Sequence, residues 1–169
     1  MFKDEHRIKQ SVGAYVLLKK ALENHQLKII DYPWVIEHDG KPSLKGCPIE
    51  FNYSHSGNYL VVAISSSPVG VDVQKKNQIK NQVFSRVLSS AEKKHFGDEK
   101  SKDSLFYKVW SRKEAYLKFL GHPGDAYLQD IPSFGVEGIT FMDFNFIKGY
   151  SLALVTPLLD EIKIAKVDL

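Results

Sequence analysis

The chain has 169 residues, and 23 Lys and Arg against 20 Asp and Glu give a formal charge of +3. Domains run to roughly 100–200 residues, so this is about one domain, large enough to bury a core without disulfide staples. The single cysteine, Cys47, excludes an intramolecular disulfide framework and a zinc site built on several cysteines. The mild basicity falls short of the dense basic stripe of a nucleic-acid binder. No apolar run approaches the ~20 residues of a membrane span, and Met1-Phe2-Lys3-Asp4-Glu5 lacks the apolar stretch of a signal peptide. The expectation is a soluble, cytoplasmic protein that meets neither nucleic acid nor membrane.

In chain order, residues 5–25 read as a helix, because Ile8, Val12, Tyr15, Val16, Leu18 and Leu22 recur at helical spacing. Residues 27–30 form a short apolar run, read as a strand. Residues 33–46, with Asp39-Gly40-Lys41-Pro42 inside them, carry the turn chemistry of a loop. Residues 49–53 and 59–65 are β-branched or aromatic runs, joined into a hairpin by a polar loop, Ser54-His55-Ser56-Gly57-Asn58. Ser65-Ser66-Ser67-Pro68 marks a seam, and a strand at 69–73 follows. Helices are expected at 80–97 and 103–120, with Asn81 and Asp103 as caps; Ser89 or Ser90 is an alternative cap for a separate helix at Ser90-Ala91-Glu92-Lys93. Gly121-His122-Pro123-Gly124 ends the helical region, and residues 139–147, 150–156 and 162–167 read as strands. Helices and strands are clustered rather than alternating, which argues an α+β fold.

Three places carry candidate chemistry. On the helix at 103–120, Phe106, Trp110 and Leu117 fall within a narrow arc, with Lys113 inside it, Glu114 at its edge and Lys118 one turn further on. Either Lys113 snorkels along apolar surface while Glu114 and Lys118 form an i,i+4 pair worth roughly 0.2–0.5 kcal/mol, or Lys113 is buried and needs an anionic partner such as a phosphate. Asp72 interrupts the apolar strand Gly70-Val71-Asp72-Val73-Gln74. It either lies on an exposed face or is buried against a metal ion or a lysine. Were Asp72 and Glu114 to converge, two hard oxygens would suit Mg²⁺ rather than zinc. Ser54-His55-Ser56-Gly57 offers hydroxyls, backbone N–H groups and an imidazole to a phosphate, or is simply a turn. The absence of a GxSxG elbow and of an HxxxH pair sets aside hydrolase and zincin readings.

Taken together, Phe51-Asn52-Tyr53-Ser54-His55-Ser56-Gly57, Val69-Gly70-Val71-Asp72-Val73 and Trp110-Ser111-Arg112-Lys113-Glu114-Ala115-Tyr116-Leu117-Lys118 resemble the motifs of the 4′-phosphopantetheinyl transferases of the Sfp type, in the same order and at compatible spacing. The similarity extends to Asp4-Glu5-His6-Arg7, to Gly40-Lys41-Pro42 and to Gly149-Tyr150, and so covers nearly the whole chain. The resemblance implies a pseudo-twofold fold of two related α+β halves, residues 1–67 and 68–169. The first half would lack its opening strand, and the second would carry the metal motifs. It implies a transferase that moves the phosphopantetheine arm of coenzyme A to a serine of an apo acyl or peptidyl carrier protein. The carrier would leave in its holo form, Mg²⁺ would be the cofactor, and the enzyme would be a monomer or homodimer.

By motif position, Asp72 and Glu114 would ligate Mg²⁺, with Gln74 standing where many relatives carry a third acidic ligand. Glu92 would be the general base. Lys113 and Lys118 would hold the phosphates, and His55, Ser54, Lys41, Pro42 and Arg7 would contact the nucleotide. Lys75, Lys76, Lys93 and Lys94 would steer an acidic carrier. The departures at Gln74 and at the N-terminus also admit a non-catalytic relative that binds coenzyme A or a carrier without transfer.

Overall fold

The computed structural model describes residues 2–38, 40–79, 81–97, 101–122, 127–157 and 162–168, with the side chains of 2–7 and 81–82 outside that description. The first helix, α1 (Phe2–Glu23), buries Ala14, Leu18 and Leu22, which lie four residues apart and form one stripe. Leu18 and Leu22 close over Ile29, Leu44 and Phe51. Ile8, Val12 and Tyr15 face solvent instead, Ile8 at 61% exposure. The helix is apolar on two sides, and only the side lying on the following hairpin is covered.

Residues 27–30 form no strand. Asp31 and Tyr32 donate their N–H groups back to the carbonyls of Lys28 and Ile29, so the backbone is satisfied locally in a 3-10 turn over Ile29–Asp31. The stretch expected as a loop at 33–46 contains two short antiparallel strands, β1 (Trp34–Ile36) and β2 (Pro42–Leu44), in register Trp34↔Leu44. Pro42 is accommodated as the first residue of its strand.

The next hairpin pairs β3 (Glu50–Ser56) with β4 (Tyr59–Ser65), and the pair Ser56↔Tyr59 leaves only Gly57-Asn58 as the turn. The five-residue loop expected here is therefore two residues long, and Ser54, His55 and Ser56 are strand residues. Their extension has a cause outside the hairpin. β5 (Gly70–Lys75) offers its free edge to β3, and Asn52, Ser54 and Ser56 accept the N–H groups of Val71, Val73 and Lys75 at 3.1, 3.3 and 2.9 Å. Alternate side chains of β3 thus stand in for a missing neighbour strand.

The helix expected at 80–97 is two helices, α2 (Asn81–Val87) and α3 (Ser90–His95). Ser89 breaks them apart. Its hydroxyl accepts the N–H of Glu92 while the Glu92 carboxylate accepts the N–H of Ser89, a reciprocal capping box. Then comes α4 (Lys102–Leu120), capped by Ser101 rather than Asp103; Asp103 sits in the first turn, where its charge suits the helix dipole. Gly121 ends the helix at φ +81°.

β6 (Thr140–Phe144) and β7 (Tyr150–Thr156) complete an antiparallel sheet in the order β5-β7-β6. No strand forms at 162–167, whose residues are almost all exposed. The architecture is α+β: α4 covers one face of the three-stranded sheet through Ala115, Ala153 and Val155, while Ala63 of β4 packs with Val71, Val73 and Leu152. No helix among the described residues is long and apolar enough to cross a membrane.

Candidate active site at the junction of β3, β5 and α4

The site begins with a glycine. A Cβ on Gly70 would overlap the carbonyl oxygen of Ala115 and lie 2.6 Å from the backbone nitrogen of Phe119. Only glycine lets α4 settle this closely on β5, and that approach carries the end of α4 over Asp72. Asp72 pairs with Ala153 in the sheet and shares its α4-facing side.

Asp72 is buried, and three partners satisfy it. Its Oδ1 accepts from Lys118 Nζ at 2.6 Å and from Ser54 Oγ at 2.8 Å, and its Oδ2 accepts from Gln74 Nε2 at 2.7 Å. Lys118 also reaches Ser54 Oγ at 3.0 Å. Of the two readings left open for Asp72, the buried one holds, with lysine as its counter-ion.

Glu114 lies one helical turn before Lys118 and accepts from the indole Nε1 of Trp110 at 3.3 Å. Burial pushes its pKa above the ordinary 4.5, and the neighbouring Asp72 charge pushes it further; the Trp110 hydrogen bond and Lys118 pull the other way. Asp72 on β5 and Glu114 on α4 each offer the hard oxygen donors that a divalent cation such as Mg²⁺ takes. No group of three or more His, Cys, Asp or Glu occurs among the described residues. Residues that would hold such an ion are Asp72 and Glu114; Gln74 meets Asp72 through its Nε2 donor.

Glu92 and Lys113 form a second, separate cluster. Lys113 is wholly buried and its three ammonium protons meet Glu92 Oε2 at 2.8 Å, the Val87 carbonyl at 2.6 Å and the Leu128 carbonyl at 2.7 Å. Desolvation pulls its pKa below the ordinary 10.5, with Glu92 opposing. The anionic partner that a buried lysine demands is thus Glu92, and no donor remains for a phosphate. Glu92 is equally committed: Oε1 accepts from Ser133 Oγ at 2.7 Å, and Oε2 serves both Lys113 and the cap of α3.

The remaining candidates sit on the first hairpins. His55 is exposed, on the strand face opposite Ser54, and Lys41 and Pro42 are half-buried at the start of β2, beside β3. The side chain of Arg7 lies outside the described residues. Three contributors escaped the sequence reading. Trp110 was visible as an i,i+4 neighbour of Glu114, and Asn52 as the first of three alternating polar residues. Ser133 had no local signal, since it meets Glu92 across 41 positions. A groove of about 670 Å³ beside the end of α1, lined by Tyr15, Lys19, Lys28 and Ile30 among others, contains none of the candidate residues.

Comparison with known proteins shows what the chain is similar to. A sequence model of the 4′-phosphopantetheinyl transferase superfamily matches residues 68–151, which hold Asp72, Glu92 and the whole of α4. The chain is 29% identical over 162 residues to the 4′-phosphopantetheinyl transferase Sfp of Bacillus subtilis, covering 88% of this chain and 70% of that protein. It is 32% identical over 121 residues to the 4′-phosphopantetheinyl transferase ffp of Bacillus subtilis, covering 68% and 52%. With the 4′-phosphopantetheinyl transferase AcpT of Salmonella typhimurium it shares 32% over 93 residues, covering 52% and 48%. The chain thus spans 70% of the first relative and about half of the other two.

Proposed function

Because this chain belongs to the 4′-phosphopantetheinyl transferase superfamily, we propose that it transfers the phosphopantetheine arm of coenzyme A to a serine of an apo carrier protein, with Mg²⁺ as cofactor. The observation that carries the proposal is convergence. Ser54, Asp72 and Lys118 come from three separate motifs and meet through contacts of 2.6–3.0 Å, with Glu114 one helical turn before Lys118.

In this reading the serine hydroxyl oxygen attacks the pantetheine-side phosphorus of the diphosphate, the bridging P–O bond breaks, adenosine 3′,5′-bisphosphate leaves, and the hydroxyl proton passes to water. Such a transfer asks the protein mainly for positioning and charge neutralisation. Asp72 and Glu114 would hold the cation, aided by the amide oxygen of Gln74 once that side chain turns over. When bound, the ion neutralises charge on the diphosphate. Lys118, whose side chain keeps 19% exposure beside Asp72, would meet the leaving phosphate. Ser54 would orient Lys118 and Asp72, and His55, Lys41 and Pro42 would line the nucleotide side. We assign Glu92 and Lys113 to bracing α3 against α4 rather than to the proton or the phosphates, because both are buried and fully engaged within the protein.

The proposal extends to architecture and partner. The helix α1 lies on the β3–β4 hairpin as α4 lies on the three-stranded sheet. That likeness supports two related halves, 1–67 and 68–169, with coenzyme A between them. Lys75 is exposed three residues after Asp72 and suits an acidic carrier.

Incubation with coenzyme A, Mg²⁺ and a panel of apo carriers should add the mass of the arm to one of them. If no carrier gains mass, the transferase reading fails; tight coenzyme A binding in the same sample would then identify a binding relative.

A further inference from the structure

The tip of the β3–β4 hairpin is fastened to the second half of the chain at a point that the proposed chemistry does not use. Tyr150, the first residue of β7, is 8% exposed, and its Oη accepts the N–H of Asn58 at 3.3 Å. Its ring meets Tyr59 edge-on, with centroids 4.7 Å apart. Between these contacts lies Gly57, at φ +55°, where a Cβ would fall 2.5 Å from Tyr150 Oη and 3.0 Å from Lys75 Cδ. On the near side of the turn, Ser56 Oγ accepts the N–H of Lys75, which is the ladder partner of Tyr150. The turn is therefore seated in a socket made by the end of β5 and the start of β7.

A two-stranded hairpin is marginally stable alone and twists freely. β3 reaches β5 through side chains rather than a backbone ladder, so the orientation of its tip depends on the last contact along it. That contact is the Tyr150 hydroxyl.

We infer that Tyr150 is a positioning residue, which with Gly57 as its counterpart fixes the hairpin tip and so places His55 at the nucleotide-phosphate end of the site. The inference rests on the proposed role of His55.

Tyr150→Phe keeps the ring in the core and removes only the clamp. The KM for coenzyme A should rise about fivefold, the factor that one ordinary hydrogen bond is worth, with kcat held within about twofold. Gly57→Ala should raise KM further, because its Cβ meets the hydroxyl. The double variant should recover part of the Gly57→Ala loss, since the colliding atom is gone. A merely structural role predicts that kcat falls with the folded fraction at constant KM and that the two losses add; either result overturns the inference.

Nuclear magnetic resonance decides the clamp without turnover. Tyr150→Phe should shift the His55 ring signals and speed hydrogen exchange at the Asn58 amide, and unmoved His55 signals refute the positioning. A wild-type chain that transfers nothing overturns the transferase reading alone, and these two signals still decide the clamp.

Discussion

Two lysines five residues apart on α4 each neutralise a buried carboxylate, yet the two pairs differ in what they leave over. Five residues turn the helix by about 140°, so Lys113 and Lys118 look into different parts of the fold. The Lys113–Glu92 pair is shut: its side chains are 0% and 3% exposed, and backbone carbonyls take the remaining ammonium protons. The Lys118–Asp72 pair is open at one end, with the lysine 19% exposed and Glu114 one turn away. A closed pair braces the fold. An open pair beside a second carboxylate keeps charge within reach of a ligand, and that difference separates strut from site where residue types are identical.

Breaking the closed pair should have the largest effect. Lys113→Met strands the Glu92 carboxylate in the core, and unpairing a buried charge costs about 3–5 kcal/mol; urea denaturation should show that loss. Adding Glu92→Gln should restore much of it, because no net charge is then left in the core. If instead Glu92→Gln alone left stability intact and removed the acidic limb of the pH–rate profile, Glu92 would be the general base and the comparison would be wrong.

At the open pair the effect should fall on turnover. Asp72→Asn keeps the shape while weakening the hold on a divalent cation, and transfer should drop by about 10²–10³-fold, the scale of losing one preorganised electrostatic group. Lys118→Met should cost transfer about 10–100-fold, as expected for a hydrogen bond to a charged group, with a smaller stability loss than Lys113→Met. Equal stability losses at Lys113 and Lys118 would erase the distinction.

The smallest effect concerns Glu114 and sharpens the contrast by pH. Its pKa is raised above 4.5 in the folded chain, chiefly by burial and then by Asp72. Between 4.5 and the raised value the folded state binds more protons than the unfolded one, so stability is fully present below pH 4.5 and declines as pH rises through the folded pKa. In chelator, Glu114→Gln should flatten that decline and stabilise the chain near neutrality by about 0.5–2 kcal/mol, the usual scale of relieving functional strain. Thermal melts from pH 4 to 8 check it. An unchanged pH slope would mean that Glu114 carries no such burden.

How much was legible in the sequence varied with how local the determinant was. Short-range features were readable: Ser89 is one of two alternative caps for a helix at Ser90, and the strand Tyr150–Thr156 matches its expected bounds, although the return bond from Glu92 is found only in the fold. Asp103 is the expected cap and Ser101 the actual one, because composition does not say which hydroxyl or carboxylate turns inward. The polar run 54–58 reads as a loop, yet Ser54, His55 and Ser56 are strand residues. Asn52, Ser54 and Ser56 are polar because they bond the edge of β5, a partner about nineteen residues away. Residues 162–167 have an alternating pattern but form no strand.

By itself the sequence determined the number and kind of most elements, the three motifs and their family, and the fact that Lys113 and Asp72, if buried, needed counter-charges. These follow from periodicity, turn chemistry and the cost of burying charge, all of which act along the chain. Only the tertiary structure decided which carboxylate meets which lysine, and hence which pair can serve a substrate. The helix supplies the angle between Lys113 and Lys118, but the sheet beneath one and the α3 cap beneath the other determine what each finds there.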